Sequence, residues 1–265
     1  MRKIPFFQKS IWRSRKMNKL CVLIPAYNCE KTIENVVKSV LQYTSDIIVV
    51  NDGSIDNTEN RLLQFEKKII LISYKKNMGK GYALKLGFNE ANKRGFSCVL
   101  TVDSDGQHLA EDIPHFIDAI RLNPNTLIVG SRSFDNPNMP QGNIFANKFS
   151  NFWFRLQTAY KLPDTQTGYR LYPLKRMKKM RPFTHRYEAE LELLVRCAWK
   201  GIRIISIPIQ VYYPAKEERI SHFRPQKDFL RISLLNSLFC LLAIIYGYPS
   251  MLIRCILPHN RHLID

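Results

Sequence analysis

No two of the six cysteines (21, 29, 98, 197, 240 and 255) form a close Cys-x-x-Cys pair, and most lie in apolar runs. That argues against zinc ligation and a disulfide framework, and leaves buried, reduced thiols. Acids are scarce as well. Against 40 Lys and Arg stand 22 Asp and Glu, a net charge of +18, which calls for an anionic partner: nucleic acid, an anionic membrane or phosphorylated substrates. Residues 1–19 hold seven basic residues and no acid, yet lack the apolar stretch of a secretory signal. They read either as a basic arm against a membrane or as an extension upstream of a second start at Met17. Neither a Walker loop nor a Gly-x-Gly-x-x-Gly fingerprint is present. An EF-hand is excluded too, because Gly106 falls fourth from Asp103 where that loop needs it sixth.

What is present is an ordinary folded composition, 45% apolar and 23% charged. The length suits one large α/β domain with an appendage, or two modest domains. The clearest local signal is residues 98–102, apolar on both faces as in a buried parallel strand. It runs straight into Asp103-Ser104-Asp105-Gly106-Gln107-His108. Open α/β sheets bind ligands at that end of a strand. Two carboxylates one residue apart repel unless a cation lies between them, and a hard ion such as Mg²⁺ or Mn²⁺ would also bridge to a phosphate-bearing substrate.

The same rhythm repeats upstream. Strands are expected at 20–24, 46–50 and 68–74, each followed by a helix. The first helix carries Ile33, Val36, Val37, Val40 and Leu41 at helical spacing, the second is capped by Asp56 or Asn57, and the third runs through Lys93. Four alternations with short connections predict an α/β fold with a doubly wound, mostly parallel sheet. Three polar stretches then fall at one sheet edge: Pro25-Ala26-Tyr27-Asn28, Asn51-Asp52-Gly53-Ser54 and the Asp103/Asp105 pair. Asp52 can accept hydrogen bonds from a ribose or a base. Gly79-Lys80-Gly81 permits close backbone approach at a helix N-terminus, which favours phosphate. Each alone is an ordinary turn; their shared edge suggests a nucleotide site.

The segments CVLIPAYNCEKTI, IIVVNDGSIDNT, NMGKGYALKLGF and VLTVDSDGQH, in this order, resemble glycosyltransferase family 2. The likeness spans roughly 18–225 and is strongest to the polyprenyl-phosphate glycosyltransferases, including dolichyl-phosphate mannose synthase. It implies a GT-A fold, a nucleoside-diphosphate sugar donor and inversion at the anomeric carbon. By the same resemblance Pro25 and Tyr27 flank the nucleotide and Asp52 reads its base or ribose. Asp103 and Asp105 hold Mg²⁺ or Mn²⁺ on the diphosphate, with Gln107 as a third ligand. The family often has an acid directly after the asparagine; here Cys29 stands there, and Glu30 is the candidate replacement.

Further along, helices are expected around Phe116, Ile117 and Ile120 and around Phe145, Phe149, Phe152, Trp153 and Leu156, with a strand at 127–130 between them. Arg132 ends that strand and suits a phosphate. Residues 134–142 read as a loop. The stretch Asp164 to Arg170 resembles the family's acceptor-side block, which implies Asp164 as the candidate to position or deprotonate the acceptor and Arg170 as a substrate contact. Arg219, Ser221 and Arg224 resemble its diphosphate loop. Glu188, Glu190 and Glu192 fit the family's acidic pattern without an assignable role. Residues 202–213 read as one or two strands interrupted by Pro208.

Residues 232–253 carry no charge and have basic flanks, as in a membrane-attached tail that spans or lies as a kinked, interfacial helix pair on a cytoplasmic leaflet. The chain is thus expected as a basic extension (1–17), a GT-A domain (18–228, with nucleotide-sugar and acceptor halves meeting at 132/133) and a membrane-associated tail (229–265). The expected acceptor is polyprenyl phosphate. A non-prenyl lipid or glycan hydroxyl, and nucleotidyl transfer, remain as alternatives. Nucleic-acid binding is disfavoured, because the basic residues flank the apolar tail instead of interleaving with exposed aromatics.

Overall fold

The computed structural model describes residues 19–134, 141–178, 180, 182–213 and 225–256. In chain order the elements are β1 (Leu20–Ala26), α1 (Ile33–Leu41), β2 (Ile47–Asp52), α2 (Thr58–Leu63), β3 (Ile70–Tyr74), α3 (Lys80–Lys93) and β4 (Cys98–Thr101). There follow α4 (Ile113–Leu122), β5 (Leu127–Arg132), α5 (Gln141–Thr158), β6 (Arg170–Pro173), α6 (Glu188–Trp199), β7 (Ile204–Ile209), α7 (Pro225–Leu242) and α8 (Tyr248–Ile256).

The strands form one seven-stranded sheet in the order β3-β2-β1-β4-β6-β5-β7. Only β6 is antiparallel to its neighbours β4 and β5, so the sheet is mostly parallel, as expected from the sequence. In the interior strand β1 every residue is buried. Its side chains alternate, with Cys21 and Leu23 in the core under α3 and α6, and Val22 and Ile24 in the core under α1 and α4. This two-sided burial is why the strands read as continuous apolar runs.

Three elements go beyond the sequence reading. Residues 170–173 are a full strand, inserted between β4 and β5, so the second half of the chain completes the sheet begun by the first. Residues 204–209 form a single strand straight through Pro208. The proline is tolerated because, among the described residues, β7 lies at the sheet edge and pairs with β5 alone. Beyond it, Val211 forms an isolated bridge to His108, closing the segment over the Asp103 turn. The tail is a bent helix, in which a π-helical turn at Ala243–Gly247 joins α7 to α8 just before Pro249. No disulfide is formed: Cys21, Cys29, Cys98 and Cys197 are buried thiols. Burial pushes the Cys98 thiol up to about 11.

Candidate active site

β4 delivers the acidic pair. Past Thr101 the chain turns through Gly106, whose φ of +78° is the left-handed conformation that glycine adopts without strain. The Asp105 carboxylate accepts the Gln107 amide at 2.9 Å, and the Thr32 hydroxyl at the start of α1 donates to the Ser104 carbonyl at 2.6 Å. His108 returns beneath the turn. Its Nδ1 accepts the Asp103 amide at 3.2 Å, and its ring stacks on the buried Tyr169 at 4.9 Å. Burial, and then the neighbouring Asp103 charge, push the Asp105 carboxyl above the usual carboxylate value. Burial acts the same way on Asp103, but the Lys80 charge and hydrogen bond, with the Arg170 charge behind, outweigh it and hold that carboxyl low.

Lys80, the first residue of α3, explains that difference. Its ammonium lies 2.6 Å from Asp103 Oδ1 and 3.0 Å from Glu190 Oε2 of α6. Burial lowers the affinity of this amine for its proton, and the two carboxylates more than restore it. The close meeting needs a residue without a side chain opposite. A Cβ on Gly168 would stand 2.5 Å from Asp103 Oδ2 and 2.9 Å from Lys80 Nζ. Gly168 is in turn held by its carbonyl, which accepts the Thr101 hydroxyl at 2.6 Å. Behind it, Arg170 is fully buried and donates to the carbonyls of Thr167, Glu190 and Thr165 at 2.6–2.7 Å. The sequence reading put Arg170 on the substrate; with its donors directed at backbone carbonyls, the side chain braces the site from behind.

Arg132 closes the adjoining flank from the end of β5. It makes a two-pronged pair with Asp164, Nε to Oδ2 at 2.6 Å and Nη2 to Oδ1 at 3.0 Å. Asp164 is fully buried and also accepts the amides of Gln166 and Thr167. Burial works against the Arg132 charge, but the Asp164 hydrogen bonds and charge raise its pKa. Asp164 therefore orders the 164–167 turn and fixes Arg132. In this arrangement it is not a free base.

The nucleotide side is built from two stitched loops. Pro25 is buried in β1 and Tyr27 stands half-buried at its exit. Asn28 (φ +45°) accepts the Ile55 amide at 2.9 Å, and its own amide donates to Ser54 Oγ. Glu30 accepts the Asn57 amide, also at 2.9 Å, and so shapes the loop after β2. Asp52 is only 3% exposed. Its carboxylate accepts the Tyr74 hydroxyl and the amides of Met78 and Gly79, all within 2.8 Å. Burial raises its pKa despite those donors. Its lone pairs are thus mostly committed to the loop that positions Lys80, and Gly79 spends its N–H there. Gly79 has φ +98°, and a Cβ on it would strike the His185 carbonyl at 2.4 Å. Close approach at this glycine is real, but its partner is the chain itself.

Asp103 and Asp105 supply hard oxygen donors at an edge bordered by Lys80, Arg132 and His108, where burial and, second to it, the Asp103 charge disfavour the ionised Asp105, and a divalent ion would favour it. Among the described residues no three His, Cys, Asp or Glu are placed to hold a metal ion by themselves, so an ion on this pair would need further oxygens from substrate and water. Gln107 lies half-buried in the same turn, and its carbonyl accepts the Tyr212 amide. The expected roles of Arg219, Ser221 and Arg224 lie outside the described residues. Sequence reasoning left Glu190 without a role and passed over Gly168 and His108 individually. The signal for Glu190 was an acid bordering the apolar face of a helix, and for Gly168 a glycine two residues ahead of the short strand that opens at Arg170.

Comparison with known proteins agrees with this geometry. The family model "Glycosyl transferase family 2" matches residues 21–179. A Methanococcus voltae UDP-N-acetylglucosamine–dolichyl-phosphate N-acetylglucosaminyltransferase is 32% identical over 214 residues, covering 72% of this chain and 85% of that one. A polyprenol monophosphomannose synthase from Mycolicibacterium smegmatis is 26% identical, covering 74% and 78%. Among solved structures, Mycobacterium tuberculosis glucosyl-3-phosphoglycerate synthase in complex with Mn²⁺, UDP and phosphoglyceric acid superimposes with a TM-score of 0.62 at 19% identity, over 85% of this chain and 78% of that one. The shared sheet is therefore the GT-A fold. With a family match that spans β1 to β6 and the acidic pair at the sheet edge, this chain belongs to glycosyltransferase family 2 and is a glycosyltransferase.

Proposed function

We propose that the enzyme moves a sugar from a nucleoside-diphosphate sugar onto the phosphate of a polyprenyl phosphate of the dolichyl type, at a membrane surface and with inversion at the anomeric carbon. One observation carries the donor side: at the C-terminal edge of the sheet Asp103 and Asp105 adjoin the half-buried Lys80, 2.6 Å from Asp103, with the half-buried Arg132 on the neighbouring flank. Asp103 and Asp105 would hold Mg²⁺ or Mn²⁺, which supplies positive charge to the departing diphosphate. The structural neighbour that holds Mn²⁺ and UDP on this fold supports that reading. Lys80 keeps Asp103 ionised and oriented toward the donor. Arg132, itself held by Asp164, offers a second cation to phosphate oxygens.

The acceptor side rests on the relatives that act on dolichyl and polyprenyl phosphates, and on chemistry. A phosphate acceptor is already ionised at neutral pH and needs no strong base. That agrees with a site whose carboxylates Asp164 and Glu190 are both engaged in ion pairs. The apolar tail would bring the enzyme to the bilayer in which such an acceptor resides.

The test supplies detergent-dispersed dolichyl and undecaprenyl phosphate, Mn²⁺ or Mg²⁺, and a panel of labelled nucleotide sugars. Formation of a labelled, acid-labile lipid is expected with one donor. Asp103→Asn and Asp105→Asn should each abolish it and also remove the metal-dependent thermal stabilisation by the nucleoside diphosphate. No labelled lipid with any donor overturns the acceptor assignment, release of pyrophosphate indicates nucleotidyl transfer, and full activity of either variant overturns the metal role.

A further inference from the structure

The bent tail helix has two unlike faces. Its inner stripe, Leu235, Asn236, Phe239, Ala243, Gly247 and Ser250, recurs every one to four residues and is buried. The stripe is bonded to the catalytic domain along its length. Gln157 Nε2 of α5 donates to Asn236 Oδ1 at 3.0 Å, Ser250 Oγ donates to the Trp199 carbonyl at 3.1 Å, and the Tyr248 hydroxyl donates to the Leu156 carbonyl at 2.5 Å. A Cβ on Gly247 would stand 2.5 Å from the Trp199 indole nitrogen, so backbone and ring meet directly. The attachment from 235 to 250 runs for about 22 Å of helix.

The outer face is apolar and bare. Leu234, Leu241, Ile244, Ile245 and Leu252 are 61–75% exposed. Alongside, α5 turns out Phe145, Phe152 and Leu156, next to a ladder of rings from Phe145 through Phe149 to Trp153 at 6.5 and 6.0 Å. The 18 residues of α5 and the 27 of Leu230–Ile256 contain Lys148, Arg155, Arg231 and Arg254 and no acid.

We propose that this composite face seats the enzyme lengthwise in one leaflet of an anionic membrane, with the tail lying in the plane and α5 embedded beside it. The proposal deepens the membrane attachment advanced under the proposed function and rests on that reading. Leu230–Ile256 is long and apolar enough to cross a bilayer, about 40 Å of helix against about 30 Å of hydrocarbon. Crossing, however, would mean either stripping the inner stripe from α5 and α6 or drawing α6, with its Glu192–Arg196 pair, into hydrocarbon. Lying flat keeps every inner bond and buries only the outer face. A second copy of the chain fits less well. A two-fold contact sets the same patch against itself, placing the exposed Lys148 and Arg155 against their copies, whereas anionic headgroups suit both.

The test uses the full chain with Cys240 and Cys255 replaced by Ser, and single cysteines at Leu234→Cys, Ile245→Cys, Leu252→Cys and Phe152→Cys carrying spin labels. The protein is added to phosphatidylcholine vesicles with and without phosphatidylserine, and label depth is read from the relative access of oxygen and a water-soluble nickel complex. Equal, shallow depth at all four positions is expected. Introducing Phe145→Glu and Phe152→Glu together should weaken vesicle binding by about tenfold or more, since two large apolar side chains leave the lipid. A deep label at 245 flanked by shallow ones at 234 and 252 indicates a spanning helix and overturns the seating while leaving attachment intact. Absence of vesicle binding, with spin–spin broadening that grows with protein concentration, indicates a dimer face and overturns both. Sugar transfer to a dispersed acceptor is untouched by either result, so failure here is distinguishable from failure of the assigned reaction.

Discussion

Gly168 is the position where one atom decides most. Its missing Cβ leaves room for Asp103 and Lys80 to meet, and a methyl group there would overlap the Asp103 carboxylate at 2.5 Å. Gly168→Ala should therefore push Asp103 off its position, lowering turnover about a hundredfold, as displacements near 1 Å do, with little change in melting temperature. Steady-state rates beside a thermal melt check this, and wild-type turnover would remove Gly168 from the site. Asp164 makes the opposite case. Asp164→Asn leaves the half-buried Arg132 without its counter-charge, so a loss of about 2 kcal/mol in stability is expected, with transfer slowed but present. A variant that melts like wild type yet transfers nothing would identify Asp164 as a base, and with it a hydroxyl acceptor. The sequence made Asp103, Asp105 and Lys80 legible because acids and a lysine at strand and helix ends have few structural uses. It did not show that Asp52 and Arg170 also brace the chain, since a buried polar group that holds a loop looks the same in one dimension as one that reads a ligand.

At the scale of elements, the parallel strands were legible because burial on both faces writes an uninterrupted apolar run. β6 was not. It has only four residues, Arg170-Leu171-Tyr172-Pro173, opening on a charge and closing on a proline, and its neighbours β4 and β5 come from distant sequence. Antiparallel insertion is a tertiary choice that periodicity does not encode. The inserted strand nevertheless fixes the site, because it carries Gly168 to the Asp103 edge and Arg170 beneath it. Arg170→Met keeps much of the side-chain bulk but abandons three buried carbonyls. It should cost about 3 kcal/mol and appear as a lower melting temperature with parallel loss of nucleotide binding. Unchanged stability with weaker donor affinity would instead return Arg170 to the substrate.

For the whole molecule, the issue is whether the tail is an accessory or part of the fold. Sequence composition alone allows a separable anchor, an apolar segment between basic flanks. The structure places Leu235, Phe239 and Ala243 in the same core as α3, α6 and the sheet, at 6%, 0% and 1% exposure. Trp199 packs edge-on against Phe239 at 5.4 Å and against Tyr246 at 6.1 Å. Uncovering those side chains and the ring they shield forfeits about 5 kcal/mol of apolar burial. For a chain of this size that corresponds to a melting temperature about 10–20 °C lower. Truncation after residue 224 should therefore yield a destabilised, aggregation-prone protein, readable as an early melt in detergent where membrane binding plays no part. A truncated enzyme that melts with the full chain and gains solubility would show the tail to be a detachable anchor, and the α6 packing to contribute nothing to the fold.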